Sequence, residues 1–263
     1  MTLRTQIYPI MLFVAGVLVL GCAAPPDRTE ILVAAASDLN FAAKEIIPLF
    51  ERQTGHSVKL SLGSSGAFHA QIQNGAPFDV FLSADVLYPQ ELEKAGLTEP
   101  GSLFVYAVGR IVLWVPKDSP IDVASRGIHA LTDSRIAKVA IANPEHAPYG
   151  RAAVSALRYF GIYDAVGGKL VFGENVSQAA QLVQSRAADA AVIALSLALS
   201  DSMKAAGVYW EVPLQAYPKM EQGAVILRRA RQAGRLEAAR AFMETLKSAE
   251  GRAALERYGF FLP

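Results

Sequence analysis

The sequence predicts an α/β protein of two lobes, each a mostly parallel sheet flanked by helices. Two observations carry this. From residue 31 onward, short apolar runs of strand length alternate with amphipathic stretches of helical period. The alternation also falls into two similar blocks, 31–105 and 113–212, followed by one more strand and a helical tail. A chain that leaves one lobe, builds a second and returns to the first fits this order. The boundaries it implies are 28–108 plus 215–263 for lobe one and 109–214 for lobe two.

In chain order, residues 31–36 (Ile-Leu-Val-Ala-Ala-Ala) read as a buried strand. Residues 39–53 read as a helix with Leu39, Ala43, Ile46, Ile47 and Phe50 on one face, bent or broken at Pro48. Strands are expected at 58–62 and 79–84, and helices at 67–73 and 87–95, the latter stopped by Gly96. Residues 104–115 hold two apolar runs around Gly109-Arg110, so one long strand or two linked ones. Strands at 138–142, 169–172 and 190–194 alternate with helices at 151–160, 177–186 and 195–206. Strands at 208–212 and 224–227 and helices at 236–246 and 252–258 complete the chain. Phe104, Tyr106, Trp114, Tyr209 and Trp210 fall in expected strands and read as core.

The 263 residues carry a formal net charge of +1, with 19% charged residues in no long run. That leaves no electrostatic footprint for nucleic acid. At the N-terminus, residues 7–21 form an almost unbroken apolar run shorter than the roughly 20 residues a spanning helix needs. This is the pattern of an export signal. Cys22, the only cysteine, stands where the run ends, so no disulfide can form within the chain. Val19-Leu20-Gly21-Cys22 resembles the lipobox of bacterial lipoproteins, with Val19 where Leu is usual. The resemblance implies a signal peptide over 1–22, acylation of Cys22, and a short tether over 23–29.

Four expected strand-to-helix junctions share a character. They are 34–40 (Ala-Ala-Ala-Ser-Asp-Leu-Asn), 63–66 (Gly-Ser-Ser-Gly), 143–150 (Asn-Pro-Glu-His-Ala-Pro-Tyr-Gly) and 173–177 (Gly-Glu-Asn-Val-Ser). A helix start leaves N–H groups unpaired and carries partial positive charge, and small residues let an anion approach it. Each junction alone is an ordinary cap. Together they suit a neutral donor cage with neither Lys nor Arg. Such a cage favours fully deprotonated oxyanions such as molybdate, tungstate or sulfate over hydrogen phosphate, whose proton needs an acceptor. Asp38 could in principle accept it, which weakens the case against phosphate.

These junctions, with Gln71-Ile72, Gly75-Ala76-Pro77, the 79–85 segment (Asp-Val-Phe-Leu-Ser-Ala-Asp), Pro144-Glu145-His146 and the 257–260 ending (Arg-Tyr-Gly-Phe), resemble the molybdate-binding proteins of ABC importers, the ModA family. The resemblance spans essentially the whole chain after the N-terminal segment. It implies a type II periplasmic-binding-protein (flytrap) fold with molybdate or tungstate between the lobes. It further implies delivery to an ABC permease, no cofactor, no cation site, no catalysis, and an exported monomer, which the lipobox resemblance anchors through a lipid. Carried over by position, Ser37 and Ser65 each give a hydroxyl and a backbone N–H, and Tyr149 and Val176 give backbone N–H groups. The family's ligating Tyr hydroxyl aligns with Ala194, which has none to offer. The Tyr149 ring, turned inward, is expected to replace it.

Two other readings compete. The ligand could be sulfate, phosphate or another small anion. Alternatively, a lipid-anchored hydrolase could use Ser37 or Ser65, although the Gly-x-Ser-x-Gly elbow is missing. His56, His69, His129 and His146 show no metal-ligand spacing and read as structural or surface groups.

Overall fold

The computed structural model describes Thr2 and residues 28–263. The expected signal peptide, Cys22 and the tether up to residue 27 lie outside the described residues.

Ten strands form two five-stranded sheets. The first takes β1 (Glu30–Ala36), β2 (Ser57–Gly63), β3 (Val80–Ser83), β4 (Phe104–Gly109) and β10 (Met220–Ile226), in the order β2-β1-β3-β10-β4. The second takes β5 (Ile111–Pro116), β6 (Val139–Ala142), β7 (Leu170–Gly173), β8 (Ala190–Ala194) and β9 (Gly207–Glu211), in the order β7-β6-β8-β5-β9. The two sheets share one pattern. Three neighbouring strands pair in parallel, and the fourth strand, β10 or β5, pairs antiparallel on both sides. Four of five strands in each sheet therefore run the same way and deliver their carboxyl ends to one edge. That edge is where ligands of open α/β sheets bind.

The chain passes between sheets twice. Residues 104–115 are two strands of different sheets, broken at Gly109-Arg110, and the return runs from Glu211 to Met220. The strands are apolar on both faces because helices cover both. Ile31, Val33, Phe50 and Phe242 pack one side of the first sheet, and Phe68, Phe81 and Leu92 the other. Trp114, Leu113, Ile128 and Leu131 anchor the second core.

The structure corrects several expected elements. Residues 37–39 form a 3-10 turn, and the helix runs Ala43–Thr54, straight through Pro48. Pro48 lies in the second turn of this helix, and its missing N–H leaves Lys44 O without the usual i→i−4 bond. The expected helix 195–206 is two, Leu195–Ala198 and Asp201–Ala206, because the Ser200 hydroxyl accepts from Met203 N–H and starts a new helix. The strand expected at 224–227 begins at Met220.

Asp79, at the start of β3, is a fully buried pin. Its Oδ2 accepts Leu32 N–H of β1 at 2.8 Å and Arg235 Nη1 of the C-terminal region at 3.2 Å. Removing it leaves a buried N–H and a guanidinium without their acceptor. Asp79→Ala is expected to destabilise the fold by roughly 2–4 kcal/mol, read as a lower urea midpoint at unchanged m value.

Candidate binding site between the lobes

All four junctions meet in one cavity between the sheets. Ser37, Ser65, Tyr149 and Val176 line it together with Asp38 and Ser64. No Lys or Arg is among its lining residues. The cavity is small, about 10 Å³, room for about one water. A larger, mostly apolar hollow, about 350 Å³ beside the crossovers, is lined by Leu214, Tyr217, Met220 and Phe261, with Arg110 and Lys219 on its wall.

Local structure sets each donor. Ser64, after β2, caps the helix Ser65–Gln73 by accepting Ala67 N–H, so Ser65 is the first helical residue. Ser65 Oγ accepts Ala84 N–H at 2.9 Å. Ser37 Oγ accepts Ser177 N–H from the other lobe at 3.2 Å, rather than capping its own short turn. A hydroxyl that accepts one N–H still has its own proton to give. Both serines are therefore oriented with a donor to spare.

Across the cleft, Pro148 opens the helix Pro148–Tyr159 and puts Tyr149 N–H in its unpaired first turn. Gly150 lets that helix start lie on the end of β6, since a Cβ there would overlap Ala142 O. Asn175 caps the helix Val176–Gln184 through Gln178 N–H, leaving Val176 N–H at the first position.

The Tyr149 ring turns inward as expected, but its hydroxyl is not free. It donates to Asp38 Oδ2 at 2.8 Å and accepts Gln222 Nε2 at 3.1 Å. Gln222 Nε2 also donates to Asp38 Oδ2 at 2.7 Å, and Tyr106 donates to Gln222 Oε1 at 2.7 Å. The expected replacement for the hydroxyl missing at Ala194 is thus spent on Asp38. Burial pushes the Asp38 carboxyl up to about 6, against the hydrogen bonds of Gln222 and Tyr149, which lower it. Burial, and then the Asp38 charge, raise Tyr106 and Tyr149 well above the usual phenol range. Tyr106 and Gln222 are the site residues that the sequence reading missed. Tyr106 passed for core, and Gln222 lay outside the expected strand. A lone Gln beside a run of small and apolar strand residues was the available signal.

Further bonds cross the cleft. Ser177 Oγ donates to Ser37 O, Ser196 Oγ to Asp38 O, and Gly66 N–H to His146 O. Arg151 pairs with Asp85 at 2.7 Å and donates to Tyr88 Oη at 3.0 Å. His146 Nδ1 lies 2.8 Å from Ser64 Oγ. The lobes are closed.

Two lobes joined by two crossovers, with unpaired helix-start donors facing a closable cleft, define a solute-binding protein. Comparison with known proteins agrees. The family described as bacterial extracellular solute-binding protein matches residues 31–261. The molybdate-binding protein ModA of Azotobacter vinelandii is 40% identical over 247 residues, covering 94% of this chain and 95% of that one. The ModA protein of Rhodobacter capsulatus is 38% identical, covering 92% of each. The solved structure of the Azotobacter vinelandii periplasmic molybdate-binding protein superposes with a TM-score of 0.81 at 35% identity, covering 89% of this chain and 99% of that one. The chain belongs to the bacterial extracellular solute-binding protein family and to the family of these ModA proteins.

Gly109, at the first crossover, lies against the buried network. A Cβ there would stand 2.5 Å from Tyr149 Oη and 2.8 Å from Gln222 Nε2. Gly109→Ala is expected to push both off Asp38 at a cost of about 1–3 kcal/mol. Calorimetry should read this as a Tm lower by a few degrees or more.

Proposed function

We propose that the protein captures molybdate, and tungstate with it, for an ABC importer. It works as an exported monomer in the periplasm or at the cell surface, anchored through a lipid on Cys22. The observation that carries the reading is the convergence of unpaired helix-start N–H groups and two oriented serine hydroxyls on one cavity with no Lys or Arg among its described lining residues. Such a cleft suits a compact anion that brings its own full charge. The names of the ModA relatives point to the same ligand.

The mechanism is non-covalent. Ser37 and Ser65 hold the ion from lobe one (28–108 plus 215–263), and Tyr149 and Val176 from lobe two (109–214). Bending at the two crossovers closes one set on the other. The closed form presents both lobes to the permease. Donors on helix starts cannot shift far, so cage size sets selectivity. Molybdate and tungstate are near equals, and the smaller sulfate leaves bonds stretched at about 1 kcal/mol each.

A hydrolase reading rests on one observation, the Ser64–His146 contact. Ser64 is already the helix cap, and His146 lies 3.5 Å from a Glu174 that is 79% exposed.

Titration calorimetry is expected to give one-to-one binding of molybdate and tungstate, with sulfate and phosphate at least about tenfold weaker. Ser37→Ala and Ser65→Ala are each expected to weaken molybdate by about tenfold to a hundredfold. Unchanged binding in both variants would count against the site.

A further inference from the structure

Asp38 does not fit a simple donor cage. It is fully buried, lines the cavity next to Ser37, and carries a carboxyl where an anion is meant to sit. Two carboxylate-like charges in contact are costly in a dry site. The hydrogen bonds show how the conflict resolves. Asp38 Oδ2 accepts both Tyr149 Oη and Gln222 Nε2. Gln222 is held in that orientation because its Oε1 takes the Tyr106 proton. Oδ2 is therefore the acceptor oxygen. Oδ1 is buried and makes no hydrogen bond among the described residues, and the backbone N–H groups of Asp38 and Leu39 near the carboxyl lower its pKa only in part against burial.

Among the described residues no cation balances Asp38. The side chains facing it are Tyr149 from the second lobe, Gln222 from β10 and, behind Gln222, Tyr106 from β4. Ser196 reaches only its backbone oxygen. On the far wall, His146 is engaged with Ser64, and Glu221, next to Gln222, pairs with Lys219. A proton on Oδ1 would satisfy every atom. Oδ2 would keep its two donors, and the cleft would gain the O–H that Ala194 cannot supply.

We propose that Asp38 is a specificity-determining residue of the cleft, un-ionised in the loaded protein, with its Oδ1–H donating to the bound oxyanion. A fully deprotonated ion is then bound together with one proton taken from solvent. The inference rests on the reading that the cleft holds an oxyanion. Burial between the closed lobes raises the Asp38 carboxyl to about 6, and a neighbouring dianion raises it further. Affinity is therefore greatest where Asp38 is protonated before binding. It declines as the pH rises past the Asp38 value of the free protein and the proton must be drawn from water.

The test is titration calorimetry of the purified protein with molybdate from about pH 6 to about pH 8.5, in pairs of buffers differing in ionisation enthalpy. At the upper end, uptake is expected to approach one proton per ion, and Kd to rise by up to about tenfold per pH unit. Asp38→Asn supplies a neutral donor of the same shape. It is expected to bind without proton uptake, to show a flat Kd, and to exceed the native protein by about tenfold or more at the upper end. Tight molybdate binding by the native protein with no proton uptake and a flat Kd would overturn the inference and leave the oxyanion reading standing. Failure of molybdate and tungstate to bind at any pH would overturn that reading itself, and the inference with it.

Discussion

An anion held in a dry cleft must be paid for in hydrogen bonds, and this constraint organises the molecule. Stripping water from a charged group costs many kcal/mol unless fixed donors replace it. Two sheets of one pattern bring strand ends to a shared edge, so that Ser65, Tyr149 and Val176 stand in first turns whose N–H groups have no carbonyl to meet. The small residues around them let backbone, rather than long side chains, form the walls. Donors of that kind lose little entropy when an ion arrives, because the sheets have already fixed them.

The same cleft is the seam between the lobes, so an ion held there is held by both. Ser37 illustrates this, since its hydroxyl and its carbonyl are both bonded to Ser177 across the cleft. The Asp38–Tyr149–Gln222–Tyr106 cluster extends the seam to β4 and β10, the strands next to the two crossovers. Gly109 touches that cluster at the point where the chain changes sheets. A change at Asp38 is thereby connected to the hinge through packed, hydrogen-bonded atoms.

Much of this was legible in the sequence because it is local. The alternation of apolar and amphipathic runs gave the two lobes, and the short residues at 34–40, 63–66, 143–150 and 173–177 marked the junctions that meet in the cavity. What stayed hidden was long-range. Asp38 and Gln222 are 184 residues apart, and Asp38 and Tyr149 are 111 apart. No periodicity reports such pairs. The sequence points the Tyr149 hydroxyl at the ligand, because nothing local shows that Asp38, far off in the chain, takes it. The break at Ser200 failed to show for a different reason. The Leu-Ser-Leu-Ala-Leu-Ser stretch has helical propensity throughout, and only a side-chain cap decides where one helix ends and the next begins.

The most direct test of the account is the crystal structure of the protein grown with molybdate, with diffraction measured at the molybdenum absorption edge. The account predicts one strong anomalous peak between the lobes, with its oxygens about 2.7–3.1 Å from Ser37, Ser65, Tyr149 N and Val176 N. A peak elsewhere, or an ion held by Lys or Arg side chains with the four junctions left as plain helix caps, would contradict it.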